Sequence, residues 1–158
     1  MLKYTVFALS ILTAFAAPAA ASEFTAIQSV QRAVMTTNDA GEVVRVFEPT
    51  DLIAPGDELK YALTYENGGL DDADGVMLTM PVPQEVLYIE NSATTDGVTV
   101  EFSADNGATY TTRADLTVLI EGQAQPASAN DITHMRWTFT DALAPGEAGT
   151  VGYRGILR

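Results

Sequence analysis

Leu59-Lys60-Tyr61-Ala62-Leu63-Thr64-Tyr65-Glu66 decides the architecture. Its large apolar residues fall at 59, 61, 63 and 65, while Lys60, Thr64 and Glu66 take the alternate positions. A period of two puts the first set on one face of an extended chain and the second on the other, as a half-buried β-strand requires.

Outward from that stretch the same period recurs in shorter runs: Val43 to Phe47, Val76 to Met80, Val86 to Ile89, Val98 to Phe102, Leu116 to Ile120, Thr133 to Phe139 and Thr150 to Leu157. Met135, Trp137 and Phe139 alternate with Arg136 and Thr138, and Val151, Tyr153 and Leu157 share one parity. Turn signals separate the runs: Pro55-Gly56-Asp57, Asn67-Gly68-Gly69, Pro81 with Pro83, Asp96-Gly97, Asn106-Gly107 and Pro145-Gly146. Many short strands at this spacing predict an all-β chain built as an antiparallel β-sandwich. Phe24 to Met35 reads two ways. Ala26, Ile27, Val30, Ala33 and Val34 recur at helical spacing, yet the segment also suits an N-terminal strand. Gln123 to Asn130, rich in Ala, Ser and Pro, is expected to be an exposed loop.

The start of the chain reads as a secretory signal peptide over 1–21. Lys3 supplies the charged region, Val6 to Ala17 the apolar run and Ala19-Ala20-Ala21 the small-residue cleavage site, with Ser22 expected as the mature start. The run is shorter than the roughly 20 residues that cross a bilayer, so no membrane span is expected after cleavage. Removing 1–21 leaves 7 basic against 21 acidic side chains, a formal charge of −14. So acidic a surface, with its bases scattered singly from Arg32 to Arg158, excludes nucleic acid as a partner, since binding it needs clustered Lys and Arg. It suits divalent cations better. There is no Cys, so stability in an exported setting must come from burial. About 137 residues from Ser22 suffice for one domain with a real core.

Three stretches invite a search for chemistry. Asp71-Asp72-Ala73-Asp74-Gly75 is the densest acidic cluster and makes Asp71, Asp72 and Asp74 the candidate calcium ligands. Aligning Gly75 with the glycine of a helix-loop-helix calcium loop puts Leu70 at the first ligand position and Pro81 at the last, so only an irregular site remains. His134 is the one histidine, with Asp131 three residues before it. No G-x-S-x-G elbow exists to serve such a pair, one histidine is too few for a typical catalytic zinc site, and its parity opposes Met135 and Trp137, so it is expected to face solvent. Trp137 is expected to anchor the core rather than to stack on a sugar.

Ser103-Ala104-Asp105-Asn106-Gly107-Ala108-Thr109-Tyr110 resembles the Asp box, a hairpin motif of extracellular β-proteins. Asn106-Gly107 can supply the positive φ of a tight turn and Asp105 can accept from the turn's own amides, so the stretch is read as a device that turns the chain.

A wider resemblance runs through Ala54-Pro55-Gly56-Asp57-Glu58-Leu59-Lys60-Tyr61, Tyr65-Glu66-Asn67-Gly68-Gly69, Ala73, Val76-Met77-Leu78-Thr79, Pro83, Tyr88, Asn91-Ser92-Ala93 and Ala144-Pro145-Gly146-Glu147. In their order and spacing these resemble the DUF11 or conserved-repeat domain of bacterial surface and secreted proteins, over roughly Ala26 to Arg158. The resemblance implies an immunoglobulin-like antiparallel β-sandwich over 22–158, used as a structural or adhesive module, with no catalytic residues or cofactor to carry over. Met80-Pro81-Val82-Pro83 departs from it where many members place an Asp before the turn's proline. A secreted, periplasmic or cell-surface location and protein partners or self-association are therefore expected. The segment 22–46 reads two ways: it can exchange onto a neighbour's edge, which would make the chain a filament subunit, or fold back as the first strands of its own sheet. A small glycan-binding or glycan-hydrolysing protein is the rival from another class.

Overall fold

The computed structural model describes residues 24–158. The signal peptide expected over 1–21 lies outside the described residues. Among the described residues ten strands form: β1 (Phe24–Thr37), β2 (Val43–Pro49), β3 (Glu58–Asn67), β4 (Met77–Pro81), β5 (Val86–Tyr88), β6 (Val98–Ser103), β7 (Thr117–Ile120), β8 (Gln123–Pro126), β9 (His134–Phe139) and β10 (Ala148–Leu157). They make a five-stranded sheet ordered β2-β1-β3-β10-β5, a three-stranded sheet ordered β4-β9-β6 and a separate β7-β8 hairpin. Every pairing is antiparallel. No helix among the described residues is long and apolar enough to cross a membrane.

The inward faces of the two larger sheets share one core. Leu59, Tyr61 and Leu63 of β3 and Val151 and Tyr153 of β10 meet Leu78 and Met80 of β4, Phe102 of β6 and Met135 and Trp137 of β9. Trp137 is fully buried, as expected of the core anchor, and donates its indole N–H to the Thr94 carbonyl at 3.1 Å. Tyr153 stacks on Tyr61 with ring centres 5.1 Å apart. Its hydroxyl donates to the Pro81 carbonyl at 2.8 Å, tying the larger sheet to the smaller. Burial drives the Tyr153 phenol far above its ordinary pKa, so it stays a neutral donor.

The central strands β3 and β10 begin with the same device. Ala54-Pro55-Gly56-Asp57 opens β3, and the Asp57 carboxylate accepts from the Ala54 amide at 2.8 Å. Ala144-Pro145-Gly146-Glu147 opens β10, and the Glu147 carboxylate accepts from the Ala144 amide at 2.9 Å. Each turn also grips the end of the opposite strand: Gly56 N–H donates to the Leu157 carbonyl and Gly146 N–H to the Asn67 carbonyl, both at 2.7 Å. Buried Asn67 completes the second turn by donating to the carbonyls of Asp71 and Leu143 while accepting from Gly69 N–H. The proline, glycine and acid repeat because one sets φ, one reaches positive φ and one satisfies an amide.

One open reading is settled and another changes. Phe24 to Met35 is a strand, in its own sheet, pairing with β3 over Phe24 to Arg32 and with β2 over Gln31 to Thr37. The helical spacing is accidental there, since most of β1 lies on the surface and buries no helix-like stripe. Gln123 to Asn130, expected as a loop, is strand β8 followed by a 3-10 turn at Ala129–Asp131. All of β8 is exposed, so no apolar alternation marked it.

Candidate functional site

Ser103 to Tyr110 turns the chain after β6. Asn106 and Gly107 both take positive φ, 60° and 83°. Asp105 accepts from the Thr109 hydroxyl at 2.6 Å, the Thr109 amide at 2.9 Å and the Ser103 hydroxyl at 2.7 Å. Those bonds, Thr109 first, hold its carboxyl at about 2, below the usual carboxylate range. Ser103, fully buried, also accepts from Gly107 N–H at 2.9 Å. A carboxylate with its acceptor capacity so filled is positioned for turn geometry rather than for proton transfer. Ser103 was legible in the motif, but nothing in the sequence marked it as the residue at the turn's centre.

His134 departs from the expected solvent position. Its parity does point away from the core, but the Ser103–Tyr110 turn folds over that face: a β-carbon on Gly107 would stand 3.5 Å from His134 Cγ. The imidazole is half-buried and its Nδ1 has no partner among the described residues. Asp131 does not reach it. That carboxylate accepts instead from the Ser128 amide and hydroxyl, each at 2.7 Å, so the two residues form no acid–histidine pair.

Asp71, Asp72 and Asp74 lie exposed on the loop between β3 and β4. Asp74 accepts from the Gly75 amide at 2.8 Å. Among the described residues no three His, Cys, Asp or Glu side chains are placed to hold a metal ion.

Four of the arginines are paired within the fold. Arg113 grips Glu90 with both Nε and a terminal nitrogen. Arg136 bonds Glu101 at 2.7 Å and lies 4.2 Å from the Tyr110 ring centre. Arg45 and Arg154 share Glu58 at 2.9 and 2.8 Å. Two of the open clefts among the described residues are the larger ones. One of 480 Å³ runs beside Tyr88, Glu90, Asn91, Phe102 and Arg113. The other, of 520 Å³, separates the Asp105 turn from β7 and is lined by Asp115, Thr117 and Leu119. In the first the guanidinium and carboxylate already neutralise each other, and in the second Asp105 is filled by its own turn.

The remaining feature is a strand edge. β2 covers β1 only from Gln31 to Thr37, and β3 lies on the other side over Phe24 to Arg32. Asn67 aims its N–H and C=O away from β1, at Glu147 and Gly146. Alternation along β3 then aims Glu66, Thr64, Ala62 and Lys60 at β1, whose Thr25, Ile27, Ser29 and Gln31 answer them. Ala26, Gln28 and Val30 therefore direct their main-chain groups outward past the end of β2.

Comparison with protein-family models, with curated proteins and with solved structures gives no match in any of the three.

Proposed function

We propose that this chain is an exported, non-enzymatic module of the cell envelope or extracellular space, an immunoglobulin-like sandwich of the DUF11 kind that acts by presenting its surfaces to protein partners. The observation that carries the reading is where its reactive groups are engaged. Asp57, Asp105, Asp131 and Glu147 cap their own turns, and Glu58, Glu90 and Glu101 neutralise arginines. Such an arrangement stabilises loops and leaves little to act on a substrate. Assembly through the N-terminal segment is the second reading, favoured by the open edge of β1. The glycan reading draws no support from Trp137, whose ring is enclosed.

Fractionation of native cells with N-terminal sequencing tests the module reading. The protein is expected outside the cytoplasm and beginning at Ser22. Intact protein beginning at Met1 in the cytoplasm refutes it.

A further inference from the structure

We infer that a second copy of this chain pairs with the open edge of β1, strand against strand, about a two-fold axis at Ile27. The inference deepens the reading of a module that acts through its surfaces, and names its partner.

Among the described residues the edge is unguarded. From Phe24 to Gln31 the sequence has no charge, no Pro and no Gly, in a chain of net charge −13. The register with β3 runs unbroken from Phe24 to Arg32, so no bulge twists the strand away. The other edges of the two larger sheets carry the usual protections. β2 has Arg45 and Glu48 and ends in Pro49, β4 ends in Pro81, and β5 is only three residues long. The outer side of β6 bonds Thr111 through Phe102.

Charge and register select the occupant. Two copies repel one another over most of their acidic surface, but not along a neutral strand. The outward main-chain groups belong to even-numbered residues, so an antiparallel self-pairing must match even with even. Centring it on Ile27 pairs Ala26 with Gln28 and Phe24 with Val30, each twice over. Ile27, 69 % exposed in the single chain, then faces its own copy at a non-hydrogen-bonded position, where Cα atoms approach to about 4.5 Å. One segment is thus complementary to itself, as an isologous interface demands. The result is one sheet continuous through both molecules.

Sedimentation velocity on the purified protein, from about 1 µM to 1 mM, reads the association constant. A concentration-dependent dimer is expected, tightened by salt as the acidic surfaces are screened. Gln28→Pro deletes an outward N–H without touching a bond to β3, and is expected to weaken the dimer by about tenfold or more with an unchanged circular dichroism spectrum. The chain has no cysteine, so Ile27→Cys gives a clean second readout. It should cross-link to its copy on mild oxidation, whereas Thr25→Cys, whose counterpart is Ser29, should not. A monomer throughout, a dimer indifferent to Gln28→Pro, or equal cross-linking by both cysteines overturns the inference, as does a different protein's strand captured at Ile27 in native cells. A monomer outside the cytoplasm ends the pairing alone. A dimer confined to the cytoplasm ends the module reading alone.

Discussion

Replacing Gly152 with alanine tests how closely the two central strands approach. A β-carbon there would overlap the Tyr61 carbonyl oxygen and stand 3.1 Å from Ala62 Cα. Both obstacles are main chain of β3, so neither can swing aside. Ordinary contact returns only if β10 and β3 part locally by roughly an ångström. The ladder bonds at Val151 and Tyr153, paired with Leu63 and Tyr61, then stretch past useful length. The two of these four bonds that flank Gly152, at about 1 kcal/mol each, with about 1 kcal/mol for displacing buried side chains, give a loss of about 3 kcal/mol. For a chain of this size that corresponds to roughly 10 °C in Tm. The other glycines of β10 provide internal controls. At Gly155 the added carbon would overlap Val86 Cγ1, on the short edge strand β5, and at Gly149 it would overlap the Tyr65 hydroxyl, the end of a partly exposed side chain. Urea denaturation with constant m-value should rank the alanine variants with Gly152 costliest, Gly155 next and Gly149 least. A Gly152→Ala protein within about 0.5 kcal/mol of wild type, or a Gly149→Ala protein that loses most, refutes the reasoning.

Asp105 has a folded pKa of about 2 against about 3.9 unfolded, so its contribution is complete above pH 5 and fades as pH falls from about 4 to 2. Tm of the wild type should therefore drop more steeply across that window than Tm of Asp105→Asn, and parallel curves would contradict the bonding described. Tyr153→Phe removes the hydroxyl bonded to the Pro81 carbonyl and should cost about 1–2 kcal/mol by denaturation. No measurable loss would mean that the bond between sheets contributes nothing net.

What could be read from the sequence follows burial. The run Leu59 to Glu66 became β3 because one face meets the core, and Met135, Trp137 and Phe139 became β9 for the same reason. β1 and β8 lie at the surface, where side chains report little about the backbone, so one read as helix or strand and the other as a loop. The Asp105 turn was legible because Asn106-Gly107 is a local signal. His134 was read half correctly, since strand parity gives a direction but cannot foresee a turn lying across that face. The open edge on β1 depends on where β2 stops, a pairing between segments. Its lack of charge was nevertheless visible between Phe24 and Gln31.

The β7–β8 hairpin stands apart from both larger sheets, reversing at Glu121 and Gly122 with φ of 52° and 81°. Leu119 and Ile120 near its tip are 77 % and 51 % exposed, so little of the core depends on their exact placement. A foreign peptide spliced between Glu121 and Gly122 would add mainly loop-closure entropy, which grows only by about 0.6 kcal/mol for each doubling of length. The molecule thus offers an attachment point for a tag, an epitope or a second domain, remote from Ile27 in the chain and at the far end of a hairpin that rests on the core through Val118.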